Sequence, residues 1–248
     1  MKKRLAIFFA VLSLGLGISL LTVFSGSAGS TALAKNGLAG SDCTELPSHA
    51  ELLAAISATV ENAGGVGFDL EAWATIVNRD GVVCAVAFTG DDRGSQWPGS
   101  RVISAQKANA ANAFSLHDLA LSTANLYSLV QPGGSLYGLQ HSNPINTDVA
   151  YRGSPENYGA HNDPMVGGRI GGVNVFGGGL ALYDTEGTLL GGIGMSGDAS
   201  CRDHLNAKNA RAELGLDNTP NSDDIIFDVE DDDHGNPESD GGFGHPTC

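Results

Sequence analysis

The stretch VGGRIGGVNVFGGGLALYDTEGTLLGGIGMSGDASCRDH, residues 166–204, contains the clearest structural pattern in the chain. Two short apolar runs, residues 180–183 and 189–195, are joined by Asp-Thr-Glu-Gly at residues 184–187. Because Asp and Gly favour a tight turn, this pattern predicts an antiparallel β-hairpin. Residues 172–176 are a candidate for an additional strand.

Glycines are the second notable feature of this stretch. A glycine is favoured where a side chain would obstruct another backbone or a flat bound molecule. Two interpretations are open: close packing of strands with β-bulges, or a ligand that lies against bare backbone. The glycines stand at residues 167–168, 171–172, 177–179, 191–192 and 194.

A similar hairpin pattern occurs earlier in the chain. Residues 72–77 and 82–88 are apolar runs, and Asn-Arg-Asp-Gly joins them at residues 78–81. This link has the same turn chemistry as the later one. The two hairpins predict four antiparallel strands of one sheet, with residues 172–176 as the candidate fifth strand.

Helices are predicted on both sides of the hairpins. Two of them begin with a capping-box pattern, Ser48 with Glu51 and Ser115 with Asp118. Another is rich in alanine, which allows a neighbouring element to approach closely. The predicted helices span residues 48–62, 101–114, 115–130 and 205–216.

The first 34 residues are typical of a secretory signal peptide. Lys2, Lys3 and Arg4 precede an apolar run, and the segment ends in small residues up to Ala34. We therefore expect cleavage after Ala34 and an exported protein, periplasmic or extracellular. No later stretch approaches the roughly 18 consecutive apolar residues of a membrane span.

The mature chain is strongly acidic. Without the three basic residues of the leader, ten Lys and Arg stand against 28 Asp and Glu, a net charge of −18. Such a surface repels phosphate backbones, so nucleic acid is a poor candidate partner. Residues 217–248 hold ten acidic and no basic residues and predict a solvated acidic tail, with irregular calcium binding as the alternative.

Four cysteines follow the leader: Cys43, Cys84, Cys201 and Cys248. An even number in an exported chain predicts two disulfides, and four cysteines allow three pairings that the sequence does not separate. A disulfide at Cys248 would tie down the acidic tail. Zinc is the alternative, because Cys201 and His204 have the spacing of metal ligands, but no second pair completes that site.

Residues 135–164, SLYGLQHSNPINTDVAYRGSPENYGAHNDP, are the least regular segment. The composition turns to Gly, Asn, Pro, Tyr and His, and the segment is longer than compact domains usually carry without a use. Long ordered loops tend to be binding elements. This segment, named the insertion below, is therefore expected to bind a ligand.

Four short motifs follow one another along the predicted elements: ATIVNRDG (74–81), SAQKA (104–108), GGGLALY (177–183) and LGGIGMSG (190–197). In this order they resemble the GlcG/HbpS family of haem-binding proteins, which is related to the C-terminal domain of PduO-type corrinoid proteins. The resemblance spans residues 48–216 of a domain expected at 35–216. It implies an α+β fold with a profilin-like or PAS-like antiparallel sheet of about five strands flanked by helices. It also implies symmetric homo-oligomers, haem binding in some members and reported haem breakdown.

A haem iron requires an axial ligand such as His, Tyr, Cys or Met. We expect His141 to bind the iron, with His161 as the second candidate and Tyr137 nearby in the insertion. The alternative is that these loop histidines are solvated. For His117 and His204 a structural hydrogen bond is the simpler expectation.

The haem propionates require cations. Arg152 and Arg169 lie in or beside the insertion and are the candidates for this role. Lys107 matches the Ala-x-Lys-Ala motif of the family and is expected either in the pocket or at the sheet edge.

The sequence contains no recognisable catalytic motif made of residues that are close together in the chain. Gly194–Gly197 is not a nucleophile elbow, because Asp198 stands where the second glycine is required. We therefore predict a binding protein rather than an enzyme: an exported haem or tetrapyrrole binder acting in sequestration, sensing or slow haem degradation. The alternatives are a binding module or enzyme for a small organic acid such as a hydroxy acid, and a ligand-free oligomeric envelope protein.

Overall fold

The computed structural model describes residues 42–62, 66–231, 237–239 and 242–248. The predicted signal peptide, residues 1–34, lies outside them, and the described residues belong to one compact unit. None of the helices in the described ranges has the length and apolar character that crossing a bilayer requires.

The helices and strands follow the order expected from the two hairpins. Between residues 114 and 179 the chain also contains short single-turn helices, with 3₁₀ turns at Ser128–Val130 and Pro155–Asn157. The elements are α1 His49–Asn62, β1 Trp73–Asn78, β2 Val83–Phe88, α2 Ser100–Phe114, α3 Leu139–Ser142, α4 Thr147–Ala150, β3 Gly179–Tyr183, β4 Leu189–Ser196, α5 Ser200–Glu213, β5 Val229–Asp231 and β6 Pro237–Ser239.

The two hairpins form one antiparallel sheet in the order β2-β1-β4-β3. The central strands β1 and β4 join them, with Ile193 opposite both Ile76 and Leu180. In the second turn the Asp184 carboxylate accepts hydrogen bonds from two backbone N–H groups, those of Glu186 and Thr188, both at 2.8 Å. The α+β fold with an antiparallel sheet flanked by helices is thereby confirmed.

The sheet has four strands among the described residues, one fewer than the expected five. Residues 172–176 have no sheet partner. Val173 and Val175 are nevertheless buried, in an apolar cluster with Leu126 and Val130. The apolar residues of this segment are therefore buried beside the sheet without pairing as a strand.

The helices cover both faces of the sheet. Alternate residues of β1 separate the two sides: Ile76 packs in the core with α1 and α5, and Val77 packs in the core with α2. The predicted capping box of α1 is confirmed, because the Glu51 carboxylate accepts from the backbone N–H of Ser48 at 2.8 Å and from its hydroxyl at 2.7 Å.

Glycines of β4 allow α2 to lie directly on the sheet. A Cβ at Gly194 would overlap the carbonyl oxygen of Ser104, and one at Gly192 would overlap that of Ala108. The backbone is therefore covered by a helix at these positions. Close packing is the correct interpretation there, and a ligand on bare backbone is the wrong one.

The helix predicted at residues 115–130 does not form. The hydroxyl of Ser115 accepts from the backbone N–H of Leu121 at 3.0 Å, and Thr123 bonds the backbone of Phe176 and Gly179. Polar side chains that bond distant backbone compete with the hydrogen bonds of a helix. The segment consequently runs as turns, ending in the 3₁₀ turn at Ser128–Val130.

Two disulfides are present, as predicted, and the structure selects one of the three pairings: Cys43 with Cys84, and Cys201 with Cys248. The second bond ties the acidic tail to the start of α5. That helix begins at Ser200, earlier than the predicted residue 205. The expectation of a solvated tail is wrong for Asp223, which is buried against Arg211 at 2.6 Å.

Candidate functional site

The insertion is an ordered part of the domain rather than a loose loop. It contains α3, α4 and a 3₁₀ turn, and the side chain of Asn146 caps α4 by accepting from the backbone N–H of Asp148 at 3.0 Å. Ala150 and Met165 are buried with Val102 of α2 in one apolar cluster. This packing places the insertion over the face of the sheet that α2 covers.

A buried ion pair holds the insertion to α2. The guanidinium of Arg101 makes two hydrogen bonds to the Asp163 carboxylate, one of them from Nε at 2.9 Å, and Nη1 donates to the Ala150 carbonyl at 2.7 Å. Its Cζ lies 3.7 Å from the ring centroid of Tyr158. Burial strengthens such charge-assisted hydrogen bonds, so this contact fixes the position of the insertion.

The Asp163 carboxylate also organises the backbone around it. The N–H groups of Gly159 and Met165 each donate to it at 2.7 Å. The Gly159 carbonyl in turn lies 2.8 Å from His49 Nε2 at the start of α1. One carboxylate therefore links α2, α1 and both ends of this part of the insertion.

The candidate iron ligands lie on the outer surface of the insertion. His141, at the end of α3, and His161 are both exposed, and Tyr137 is 64% exposed. Exposed imidazoles are accessible to a ligand that binds from solvent. The assignment of an axial ligand stays a prediction.

Arg152 and Arg169 are brought to one edge of the insertion. Arg152 donates to the carbonyls of Pro164 and Val166, the latter at 2.9 Å, and its guanidinium lies beside Gly168. Arg169 directly follows Gly168 and is exposed. Since a guanidinium has five N–H groups, Arg152 retains donors for an anion.

Lys107 is buried between α2, β4 and α5. Its ammonium is fully buried and donates to Asp203 at 2.7 Å and to the Met195 carbonyl at 2.9 Å. Burial lowers the pKa of Lys107, and burial raises that of Asp203 to about 6 although the ammonium opposes this. In this position Lys107 ties α2 to α5 and β4, and contact with a haem stays a prediction.

His117 and His204 were both expected to make a structural hydrogen bond. His117 is exposed on a turn, 3.7 Å from the carboxylate of Asp118. His204 is buried on α5, and neither ring nitrogen has a hydrogen-bond partner among the described residues. Burial lowers the pKa of His204 to about 4. The expectation of a structural hydrogen bond is therefore wrong for His204.

A cleft of about 620 Å³ lies away from the insertion, beside α1 and the end of α5. The described residues that line it include Glu45, Glu51 and Glu213 and no basic side chain. The two propionates of a haem would be repelled by these carboxylates. The insertion, with its arginines, is electrostatically the better place for such a ligand.

The family model described as haem degrading protein HbpS-like matches residues 48–212. The chain belongs to the HbpS-like family. The match begins just before α1 of the HbpS-like chain and ends inside the last turn of α5, so it contains the sheet and the insertion. The acidic tail, with His245 and Cys248, lies outside it.

The HbpS-like chain is also similar to solved structures, and no curated protein matches it. One solved structure is a PduOC–haem complex, at 24% identity over 68% of this chain and 94% of that chain, with a TM-score of 0.47. Another is the Klebsiella pneumoniae protein ORFY, at 23% identity over 68% and 90%, with a TM-score of 0.45. A third is HbpS, at 18% identity over 67% and 86%, with a TM-score of 0.41.

Proposed function

We propose that this protein is an exported haem-binding protein that holds the haem at the surface of the insertion. The observation that carries the proposal is the family match, because a family described as haem degrading covers residues 48–212 and the whole insertion. In this proposal the protein sequesters, senses or slowly degrades haem.

The chemistry of the insertion supports the proposal. His141 is the first candidate for the axial ligand and His161 the second, and both are exposed. Tyr137 and the similarly exposed Tyr151 offer aromatic surface to the macrocycle. Arg152 and Arg169 would pair with the propionates, which need cations.

Export and oligomerisation belong to the same proposal. Two disulfides are typical of proteins that fold in an oxidising compartment. A haem on an exposed surface needs cover on its second face, and we expect a second copy of the chain to provide it.

Haem titration of the oxidised protein, residues 35–248, tests the proposal. Soret absorbance is read for the parent and for His141→Ala, His161→Ala and the double variant, with chain mass measured by light scattering. His117→Ala is the matched control, because it also removes an exposed histidine but lies outside the insertion. Exposed substitutions of this kind change stability little.

The expected result is saturable binding of one haem per chain, lost or spectrally altered in one insertion variant and unchanged in His117→Ala. Absence of saturable binding by folded, oxidised protein would overturn the proposal. Unchanged spectra in the double variant would instead refute the axial-ligand assignment.

A small organic acid has no comparable support. That alternative rests on the glycolate-locus relatives that the family resemblance implies and on backbone amides exposed at the glycines, but at Gly192 and Gly194 the backbone is covered by α2. At Gly177, where a backbone N–H donates to Ser200 Oγ at 2.6 Å, the amide is also occupied.

A further inference from the structure

The acidic tail brings three metal-binding side-chain types together at the start of α5. One ligand atom each from Cys201, His245 and Cys248 lies within 4.8 Å of the other two. Cys201 is in the first turn of α5, and the other two come from the tail. The spacing of Cys201 and His204 in the sequence suggested His204 as a metal ligand. In the fold it is His245, and not His204, that lies beside the two cysteines.

Hydrogen bonds fix His245 in the tautomer that a metal requires. Its Nδ1 lies 2.6 Å from the Pro246 carbonyl, which can only accept, so Nδ1 carries the proton. Nε2 therefore has the free electron pair and accepts from the Ser200 hydroxyl at 2.7 Å. Metal-binding histidines commonly donate the other ring N–H to a backbone carbonyl in this way.

The disulfide between Cys201 and Cys248 occupies the two sulfur atoms in the described structure. Cys248 is exposed and Cys201 is buried, so an external thiolate reaches the Cys248 sulfur first. The leaving thiolate is then Cys201, which the N-terminal turn of α5 stabilises. A dithiol reductant gives up two electrons and becomes a disulfide, and both cysteines of the protein end as thiols.

We propose that the reduced protein binds one thiophilic divalent metal ion, with Zn²⁺ as the natural case, through Cys201 Sγ, Cys248 Sγ and His245 Nε2. Binding releases the two thiol protons, and a water molecule fills the fourth position of a tetrahedral site. The ion replaces the hydrogen bond from Ser200 to Nε2. With Zn–S bonds of about 2.3 Å the sulfur atoms stand about 3.8 Å apart, so they need to separate by only about 1.7 Å from the length of a disulfide bond.

The second disulfide provides an internal control. Among the described residues, no such group of His, Cys, Asp or Glu atoms surrounds Cys43 and Cys84. Reduction exposes both cysteine pairs, but only the pair near His245 has a third ligand. The proposal concerns the tail and is independent of haem binding.

Cobalt titration under anaerobic conditions tests the proposal, because Co²⁺ reports thiolate ligands and tetrahedral geometry by its absorbance. The protein, residues 35–248, is reduced with a phosphine, and Cys43→Ser/Cys84→Ser is compared with Cys201→Ser/Cys248→Ser and with His245→Ala. Zn²⁺ is then added to displace the cobalt. The oxidised parent protein serves as the control for binding by surface carboxylates.

The expected result is one Co²⁺ per reduced chain, with thiolate charge-transfer bands that persist in Cys43→Ser/Cys84→Ser and vanish in Cys201→Ser/Cys248→Ser. His245→Ala should weaken binding at least tenfold, in line with the loss of one ligand. Equal thiolate bands in the two double variants would overturn the proposal.

Alkylation of the reduced parent protein gives a test without any substitution. Zn²⁺ should protect Cys201 and Cys248 from iodoacetamide and leave Cys43 and Cys84 reactive, as read by peptide mass spectrometry. Equal labelling of all four cysteines with and without Zn²⁺ would refute the site.

Discussion

Replacement of Asp163 by alanine should loosen the insertion, because this buried carboxylate holds it to α2. The carboxylate is fully buried, accepts two hydrogen bonds from the Arg101 guanidinium, and accepts one each from the backbone N–H groups of Gly159 and Met165. Its removal leaves a buried cation without its counter-charge and two backbone donors without acceptors. The damage is therefore greater than the loss of one contact.

The size of the effect follows from this arrangement. Removal of one partner from a buried ion pair costs about 3–5 kcal/mol, because the other charge stays buried. Arg101 is only 2% exposed, so water cannot replace the lost carboxylate without local opening. We expect Asp163→Ala to lower the free energy of unfolding by about 4 kcal/mol.

Urea unfolding followed by fluorescence measures this difference, and Asp224→Ala is the matched control. Asp224 pairs with Lys208, but both side chains are about half exposed, so its loss should cost at most about 1 kcal/mol. Limited proteolysis should then show faster cleavage within residues 135–164 for Asp163→Ala alone.

Equal destabilisation by the two substitutions would refute the reasoning. It would mean that Asp163 and its partners contribute no more than a solvated surface pair. Unchanged proteolysis of the insertion would show that other contacts hold it.

Three further predictions concern the sheet, a buried histidine and a disulfide. Gly194→Ala should lower Tm strongly, at a cost of about 3 kcal/mol or more, because its Cβ would overlap the Ser104 carbonyl; Gly99→Ala, with open space around it, should be nearly neutral in the same scan. His204 has a depressed pKa, so its contribution to stability is present above pH 6.5 and is lost as the pH falls toward about 4. In denaturant unfolding at several pH values, His204→Leu should gain stability relative to the parent as the pH falls through that window, and parallel profiles would contradict the assignment; Asp203, with its pKa raised to about 6, contributes alike to both proteins and cancels in this difference. Cys201→Ser/Cys248→Ser opens a loop of 47 residues, and unfolding of this variant should show a loss of about 4 kcal/mol, whereas a loss below about 1 kcal/mol would show that the tail is held by other contacts.

Local patterns were sufficient to predict the hairpins and α1. The turn at residues 184–187 and the capping box of Ser48 and Glu51 depend on neighbours within four residues. A short window of sequence therefore shows all the interacting partners.

Long-range hydrogen bonds explain the failure at residues 115–130. Asn125 donates to the Asp224 carbonyl at 2.8 Å and accepts from the Ile226 N–H at the same distance, partners about a hundred residues away. No local pattern indicates such partners. The capping-box letters at Ser115 and Asp118 therefore predicted a helix that the fold does not use.

The sequence shows the two cations of α2 but not the partners that they have in the fold. Arg101 and Lys107 are the two charged residues of an alanine-rich helix, and a charged side chain that is buried needs a partner. The partners, Asp163 and Asp203, lie 62 and 96 residues away. Only the folded chain identifies them, and the positions of His141 and His161 on the outer surface likewise depend on that anchoring.

The disulfide pairing has a consequence for how the protein matures. Cys43 bonds Cys84 and Cys201 bonds Cys248, so each cysteine is joined to the next one along the chain. For the exported protein proposed above, an oxidase that pairs thiols in the order of their emergence through a translocation pore would produce the native bonds directly. Maturation should then require an oxidant and little help from a disulfide isomerase.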